Sequence, residues 1–380
     1  MDRRKFLKSG FAGVGMVPAL LYGASKSAGY RYTVLIELGG GNDGLNTLVP
    51  YTDSEYYRAR PNIAIDRKSV IKLDSRVGLH PSMKELAKIY RVGEVAVLQG
   101  VGYPHPNRSH FRSIDIWNSA SNWNEYLDSG WISTLDSRPV SEIGSLVLGG
   151  EYGPFAKLKS GILSIQNPSA FLNRSKRMPA QIYMSANNEY LKHLLEVEKE
   201  IVESSWVLRR YLDSDKELRF KFPRHGLGRE MEIVARLIGE SARIPFMKVY
   251  HGGFDTHCSQ SAKHARLLKE LSESISILRR NLVLSGKWKD TLIVTYSEFG
   301  RRVEENACKG TDHGTASVHF AIGGSVKGGI YGVYPSLDFL DDNGDLVYTD
   351  DFRTLYNTIA QKWLSTKSKR VSKYGLYDFI

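Results

Sequence analysis

The sequence has few cysteines: Cys258 and Cys308 are the only two in 380 residues. Two cysteines exclude a disulfide-rich scaffold. In an oxidising compartment the two thiols could pair, and otherwise they would remain separate, partly buried thiols. The sequence leaves both alternatives open.

Long hydrophobic runs are also missing after residue 28. No run there approaches the ~18 consecutive apolar residues of a transmembrane helix, so no membrane span is predicted in the mature chain. Lysine and arginine outnumber aspartate and glutamate by 52 to 41, but they are scattered and form no basic patch interleaved with aromatics. We therefore predict no nucleic-acid partner. Both the P-loop and the G-x-S-x-G serine hydrolase motif are absent, which excludes those two classes of site.

Residues 1–28 are predicted to be a twin-arginine signal peptide. Arg3 and Arg4 are followed by Phe6, Leu7 and Lys8, and then by a weakly apolar segment. That segment, about 15 residues long, is too short to span a membrane and suits a signal peptide. Twin-arginine signals are read by an export machinery, so the pattern predicts a periplasmic protein with a mature chain of residues 29–380.

Several apolar runs rich in β-branched residues predict buried strands: Tyr32–Leu38, Val95–Val101, Pro245–Tyr250 and Thr291–Tyr296. Continuous hydrophobicity of this kind is typical of strands covered on both faces. We therefore predict a single α/β domain, with a doubly wound, mostly parallel sheet and helices on both faces. A cap or insertion is expected around residues 130–240, where short apolar runs predict strands, some of them in a hairpin at a sheet edge.

Acidic and imidazole side chains follow these predicted strands, where ligands bind in an open α/β sheet. The candidate metal ligands are Asp43, Asp255, His257, Glu298, Asp312 and His313. Asp255 and His257 are two residues apart, so in an extended segment their side chains share a face. Carboxylates mixed with imidazoles suit zinc or manganese better than calcium. We expect one or two divalent ions.

The segment after the second predicted strand is unusually rich in functional side chains. Arg108 or Arg112 could hold an oxyanion with two hydrogen bonds. Ser109 could act as a nucleophile, with His110 beside it as a further catalytic candidate. The alternative interpretation is a polar surface loop in which an arginine pairs with Asp115.

Residues 39–44 match the G-x-G-x-x-G pattern of dinucleotide-binding loops. That motif needs a helix to begin in the glycine loop, whereas here the following residues are β-branched and broken by Pro50. Asp43 would also repel a diphosphate. We therefore favour a loop that presents Asp43 and Asn46 to a cation, and a glycine turn with a solvated aspartate remains the alternative.

Five motifs in this order, together with the leader, carry a family resemblance: GGGNDGLN, HPNRSHFRSIDIW, GFDTH, SEFGR and TDHG. They resemble the exported bacterial family known as domain of unknown function 1501. That family is similar in turn to the alkaline phosphatase and sulfatase superfamily, whose doubly wound sheet carries two divalent metals at its strand ends. The resemblance implies metal roles for the six candidate ligands, with Asp312 as a ligand or a supporting residue, and a nucleophile near Ser109.

The chain also departs from the superfamily pattern. The spacing Asp255-x-His257 replaces Asp-x-x-x-His, and Ser297-Glu298 replaces an Asp-His pair. The sulfatase signature of Cys or Ser followed by x-Pro-x-Arg is absent, so formylglycine chemistry is not expected. One metal, or two with oxygen-rich coordination, is compatible with the residues present.

Together these observations predict an exported metal-dependent hydrolase of phosphate or sulfate esters. Its substrate would be an anionic ester, either a small molecule or a polymer. Two alternatives remain at the level of sequence. One is a non-catalytic periplasmic binding protein that keeps the fold, and the other is a cofactor-binding oxidoreductase.

Overall fold

The computed structural model describes residues 29–139, 141–159, 161–167, 170–171, 188–212 and 217–380. The predicted signal peptide lies outside the described residues. Among those that are described, nine strands form the main sheet: β1 (Tyr32–Gly39), β5 (Val95–Gly102), β6 (Ser145–Leu148), β7 (Ile162–Ile165), β8 (Phe246–Gly252), β9 (Thr291–Tyr296), β10 (Ser317–Gly323), β11 (Gly329–Tyr331) and β12 (Asp350–Asp351). A small second sheet contains β2 (Leu48–Val49), β3 (Ile71–Lys72) and β4 (Gly78–Leu79).

The helices of the described residues are α1 (Gly44–Thr47), α2 (Ser54–Ala59), α3 (Lys84–Arg91), α4 (His110–Ser119), α5 (Glu189–Leu212), α6 (Gly226–Gly239), α7 (Gln260–Leu284) and α8 (Phe352–Thr358). Short 3₁₀ turns occur at Pro81–Met83, Trp131–Thr134, Gly153–Phe155 and Trp288–Asp290, and a π-helical turn, Ile359–Trp363, follows α8. Within the described part of the chain, none of the helices has the length and apolarity that a membrane crossing requires.

Strand β1 lies in the interior of the main sheet, between β8 and β9, and is parallel to both. Because successive side chains of a strand point to opposite faces, β1 contributes to two cores. Val34, Ile36 and Leu38 pack in one core, with residues of α3, α6 and α7. Leu35 packs in the other, with residues of α4 and α8. The continuous apolar run of β1 is therefore explained by burial on both faces.

The order of strands in the main sheet is β11-β5-β10-β9-β1-β8-β6-β7, with β12 also paired to β5. Strand β10 is antiparallel to its neighbours β5 and β9, whereas the other strand pairs of this sheet are parallel. Helices cover both faces, so the predicted fold class is confirmed.

The prediction of a hairpin in the middle of the chain is wrong. Strands β6 and β7 are parallel to each other, and β6 continues the main sheet beside β8. A parallel pair needs a crossover connection that a hairpin lacks, and the 3₁₀ turn Gly153–Phe155 lies in that connection. These two strands of the 130–240 region therefore belong to the main sheet, while the assignment of a cap there stays a prediction.

The glycine loop after β1 does not lead into the long helix of a dinucleotide site. Helix α1 has only four residues, and the Asp43 side chain accepts a hydrogen bond from the Asn46 N–H at its start. The loop instead approaches the segment after β8. A Cβ atom on Gly40, which has φ +113°, would lie 2.3 Å from the backbone nitrogen of Asp255. Only glycine fits both this backbone conformation and this approach.

Candidate metal centre

The carboxyl ends of β1, β5, β8 and β9 lie at one edge of the sheet, and antiparallel β10 begins there. The loops at this edge bring together His110 at the start of α4, Asp255 after β8 and His313 before β10. Each offers one ligand atom, and these three atoms all lie within 4.8 Å of one another. The sheet topology thus joins residues that are about 200 positions apart in sequence.

His313 presents an unprotonated nitrogen to this edge. Its Nδ1 lies 2.8 Å from the carbonyl oxygen of Arg108, and a carbonyl can only accept, so Nδ1 carries the proton. Burial is the main cause that lowers the pKa of His313, which favours the neutral ring. Its Nε2 therefore keeps a lone pair, and this atom lies 3.3 Å from Asp255 Oδ1.

His257 has the same arrangement with a carboxylate in place of the carbonyl. Its Nδ1 lies 2.9 Å from Asp312 Oδ1. The hydrogen bond from His257, which is the largest of the causes, lowers the pKa of Asp312, so this partner is an ionised acceptor. The Nε2 of His257 lies 2.9 Å from Asp255 Oδ1 and 3.0 Å from His313 Nε2. Asp312 thus orients the imidazole, as carboxylates do behind metal-bound histidines.

His110 is oriented by Glu298. Its Nδ1 lies 2.9 Å from Glu298 Oε1, and its Nε2 lies 3.7 Å from Asp255 Oδ2. Glu298 is buried and accepts a 2.8 Å hydrogen bond from the Gly40 N–H. The hydrogen bond with Glu298 is the largest cause that raises the pKa of His110. Ser113 of α4 also donates to the Glu298 carbonyl oxygen, which holds α4 against the loop after β9.

The donor set at this edge fits a cation. Asp255 Oδ1, His257 Nε2 and His313 Nε2 are 2.9, 3.0 and 3.3 Å apart. With both Nδ1 atoms bonded to oxygen acceptors, the two Nε2 atoms and Asp255 Oδ1 face one another, so a cation between them would have all three as ligands. Ligands that surround one zinc ion at about 2.0–2.1 Å have separations of this size. A mixture of one carboxylate and two imidazoles suits zinc or another divalent transition metal.

Residues 202–361 match a family described as "Protein of unknown function (DUF1501)". The resemblance inferred from the motifs is confirmed. No curated protein matches the chain.

Three solved structures illustrate the similarity in fold. A protein in the alkaline phosphatase superfamily from Vibrio parahaemolyticus matches with TM-score 0.40 and 10% identity over 92% of this chain and 69% of that chain. The sulfatase PsFucS1 from Pseudoalteromonas sp. matches with TM-score 0.39 and 12% identity over 89% and 68%. The phosphonate monoester hydrolase SpPMH from Silicibacter pomeroyi matches with TM-score 0.37 and 11% identity over 92% and 78%. Similarities this distant do not assign chemistry to this chain, so its site is derived from its own residues.

The DUF1501 match covers most of the site. It contains five of the predicted ligands: Asp255, His257, Glu298, Asp312 and His313. Ser109, His110 and Asp43 precede the matched range. The structure brings these five residues and His110 together at one edge, where Asp312 is bonded to His257 and Glu298 to His110.

Arg301 is a residue of this site that the sequence analysis missed. Its guanidinium is buried and lies 2.6 Å from Asp255 Oδ1. It also donates to carbonyl oxygens of three different loops, those of Gly41, Phe254 and Thr311. Although burial opposes ionisation, Arg301 together with His257 and His110 holds the pKa of Asp255 below its usual value. Arg301 is the last residue of the SEFGR motif, three residues after Glu298. Its place in this motif was the feature of the sequence that could have identified it as a site residue.

The position of Asp43 differs from its prediction as a metal ligand. Asp43 is completely buried, and its Oδ2 lies 2.7 Å from Nη1 of Arg60, which is also fully buried. Gln260 donates to the same oxygen, and the N–H of Asn46 donates to Oδ1. Burial alone would raise the pKa of Asp43, but Arg60 and His264 outweigh it and lower the pKa. Its carboxylate is thus satisfied inside the protein, as a buried ion pair must be.

The two arginines predicted to hold an oxyanion are engaged elsewhere. Arg108 forms an ion pair with Asp345. Arg112 Nη1 lies 2.6 Å from Asp115 Oδ2, and the Arg112 guanidinium stacks 4.0 Å over the ring of Tyr126. The alternative pairing with Asp115, weighed from the sequence, is the one that the structure shows.

Ser109 remains available for chemistry. It is the residue immediately before α4, is exposed, and its side chain makes no capping hydrogen bond. Its neighbour His110 faces Asp255 from the first turn of the same helix. The serine thus precedes, in sequence, a histidine of the imidazole cluster and has no capping bond to hold its hydroxyl.

Proposed function

We propose that this protein is an exported metal-dependent hydrolase of phosphate or sulfate esters. The observation that carries the proposal is the arrangement of His257 and His313. Each has its Nδ1 proton bound by an oxygen acceptor and directs Nε2 toward Asp255. Such pre-oriented imidazoles around one carboxylate are typical of metal sites.

Asp255, His257 and His313 are the residues that would hold the ion, which we propose to be zinc or manganese. When bound, such an ion acts as a Lewis acid toward an ester oxygen. Arg301 keeps Asp255 in place and limits the negative charge of the site. Asp312 and the Arg108 carbonyl oxygen keep both imidazoles in the tautomer with an open Nε2.

Ser109 and His110 would carry the proton and group transfer. In this proposal Ser109 Oγ attacks the phosphorus or sulfur atom, and its proton passes to His110 Nε2. The bond to the leaving alcohol oxygen breaks, and that oxygen takes the proton from His110 Nε2. Water then hydrolyses the serine ester and restores the hydroxyl. Glu298 supports both transfers because its bond to Nδ1 fixes the ring and stabilises its charged form.

A second candidate, a binding protein without turnover, is favoured by one observation. Arg108, Arg112 and Arg301 are each bonded to protein carboxylates. In the described part of the site, none of these three guanidinium groups is left to bind the oxygens of a transferred group. A protein of this kind would keep the metal and lack activity.

Hydrolysis of 4-nitrophenyl phosphate and 4-nitrophenyl sulfate by the mature protein separates the two candidates. We expect release of 4-nitrophenol that is lost on treatment with a chelator and restored by zinc or manganese. His313→Ala should remove both metal and activity. Metal binding without turnover of either ester would support the binding protein, and turnover that survives complete removal of metal would contradict the proposed mechanism.

A further inference from the structure

A cavity of about 640 Å³ lies beside the candidate metal centre, at the same edge of the sheet. Its lining comes from the second half of α4, from residues 127–130, from β7, and from the segments that follow β6 and β7. His110 begins α4 and Asn118, near its end, lines the cavity. Asn118 is eight positions after His110, and at about 1.5 Å of rise per residue the two are about 12 Å apart along the axis of α4. A volume of this size is in the range of small-molecule sites.

Tyr250 connects the cavity to the metal centre. A Cβ atom on Gly150, a lining residue, would lie 3.3 Å from the Tyr250 ring. At the other end of the ring, a Cβ atom on Gly39 would lie 2.5 Å from the phenolic oxygen. Gly39 precedes Gly40, whose N–H donates to Glu298. The glycines at these strand ends make room for a tyrosine that remains 38% exposed between the two sites.

Three neutral polar side chains of the lining are each held at one end by a hydrogen-bond partner. Gln166 donates to the Gly150 carbonyl oxygen, which leaves its Oε1 as an acceptor. Ser129 Oγ accepts a 2.6 Å hydrogen bond from Arg370, which leaves its hydroxyl proton to be donated. The Asn118 amide lies 3.4 Å from the Tyr296 hydroxyl at one end, and its other end is open to the cavity. Fixed donors and acceptors of this kind complement hydroxyl groups, which both donate and accept.

A buried ion pair supports this wall of the cavity. Lys248 Nζ lies 2.5 Å from Glu37 Oε2, and the Lys248 side chain is 1% exposed. The Tyr296 hydroxyl donates to the same Glu37 oxygen at 2.9 Å. Lys248 also donates to the carbonyl oxygen of Glu151, a lining residue, at 2.8 Å. Because separating a buried ion pair would leave a charge uncompensated, this pair holds the wall at Glu151 in place.

The charges of the lining disfavour an anion. Its two aspartates are already paired, Asp115 with Arg112 and Asp128 with Lys157. Glu151 is a further acidic residue, and none of the described lining residues is basic. A phosphate or sulfate group would therefore gain no ion pair here, whereas an uncharged group meets amides, hydroxyls and the half-exposed ring of Tyr152.

We propose that this cavity binds an uncharged, hydroxyl-rich group of sugar size. This inference rests on the proposed function in one respect: the bound group would be the alcohol part of an ester whose anionic head lies at the metal centre. The cavity itself requires no metal, so its binding can be measured without turnover.

Binding of lactose, cellobiose and maltose to the mature protein tests the proposal, with titration calorimetry and saturation-transfer NMR as readouts. We expect saturable binding of at least one of these neutral sugars and weaker binding of glucuronate, an anion. Gln166→Ala and Asn118→Ala should each weaken binding roughly tenfold, the loss expected for about one hydrogen bond. Gln166 is exposed, so its variant tests the cavity even if Asn118→Ala folds poorly.

Two controls separate this inference from the proposed function. Gln361→Ala, a matched change in the π-helical turn after α8 to a glutamine that does not line the cavity, should bind sugar like the unmodified protein. His313→Ala should lose esterase activity and keep sugar binding. The inference is overturned if none of the three sugars binds, or if Gln166→Ala and Asn118→Ala bind as well as Gln361→Ala. If the protein hydrolyses 4-nitrophenyl esters but binds none of the sugars, the sugar-binding inference is rejected and the proposed hydrolase function is kept.

Discussion

At the scale of single residues, Ser109 and Asp255 have separable roles. Asp255 is surrounded by His257, His313 and Arg301, whereas Ser109 makes no side-chain hydrogen bond at the start of α4. Replacing a side chain that coordinates the metal should reduce metal binding and activity together. A nucleophile affects the chemical step and leaves coordination intact.

Ser109→Ala should therefore lower kcat for 4-nitrophenyl ester hydrolysis by at least about 10²-fold while the metal content stays unchanged. Metal content by elemental analysis and kcat by absorbance are the two measurements. Ser75→Ala, a change to an exposed serine between β3 and β4, is the matched control and should retain kcat. Full activity of Ser109→Ala would assign the nucleophile to water or to another residue.

The approximate positions of the site residues could be predicted from the sequence. Asp255 and Glu298 lie just after apolar strands, and His313 lies just before one. The carboxyl ends of parallel strands lie at one edge of the sheet. The exact partners could not be predicted. Asp43 also follows a strand, but its pairing with Arg60 depends on the path of the chain through α2, which local patterns do not determine. Arg301 is likewise defined by carbonyl oxygens from three distant loops.

At the scale of elements, the disulfide between Cys258 and Cys308 joins two loops of the site. Cys258 follows His257, and Cys308 precedes Asp312, which is bonded to the same histidine. The backbone N–H groups of Ser259 and Gln260 also donate to the carbonyl oxygens of Cys308 and Lys309. The covalent link therefore supports the geometry that orients His257.

The double variant Cys258→Ser/Cys308→Ser should unfold more easily. With the cysteines 50 positions apart in sequence, the chain-entropy relation gives a loss of about 4 kcal/mol in the free energy of unfolding. Urea denaturation with and without metal measures it, and metal affinity should fall as well. Two alkylatable thiols in native, non-reduced periplasmic material would show that the disulfide does not form.

Helix α6 carries a buried carboxyl group that makes stability depend on pH. Burial raises the pKa of Glu230 to about 8, although the Tyr250 backbone N–H opposes this. Its Oε2 has no hydrogen-bond partner among the described residues. The folded protein therefore holds a proton that the unfolded chain releases near pH ~4.3. The stabilisation is complete below that value and is lost as pH rises through about 8.

Glu230→Gln, which cannot ionise, should remove this loss of stability. We expect the wild-type free energy of unfolding to fall between pH ~5 and ~9. The fall is at most about 1.4 kcal/mol for each unit by which the pKa of Glu230 in the folded protein exceeds its pKa in the unfolded chain. The glutamine variant should show a flatter profile. Glu232→Gln in the same helix controls for the loss of a carboxylate. Parallel profiles for the wild type and Glu230→Gln would contradict the assignment.

Strands were the most predictable elements, because β1, β5, β8 and β9 are covered on both faces and so appear as continuous apolar runs. The pairing of short edge strands was not predictable. The runs of β6 and β7 are compatible with a hairpin or a parallel pair, and the choice depends on the connection between them. The glycine loop matches a dinucleotide motif, but the residues after it argued against the long helix that this motif needs, and α1 indeed has only four residues.

At the scale of the whole molecule, the leader and the disulfide point to the same compartment. The twin-arginine pattern predicts export, and disulfides persist in oxidising compartments such as the periplasm. We expect the double variant Arg3→Lys/Arg4→Lys, which keeps the charge, to accumulate as precursor in the cytoplasm. Fractionation and immunoblotting measure this. Undiminished periplasmic protein would exclude the twin-arginine route.

The central claim is that Asp255, His257 and His313 hold one divalent metal ion. Elemental analysis of the purified mature protein tests it most directly, with Asp255→Ala and the matched exposed change Asp378→Ala analysed in parallel. We predict about one zinc or manganese ion per chain in the wild type and in Asp378→Ala, and a loss of that ion in Asp255→Ala with little change in circular dichroism. A wild-type protein without divalent metal above background, or an Asp255→Ala variant that keeps its full complement, would contradict the claim.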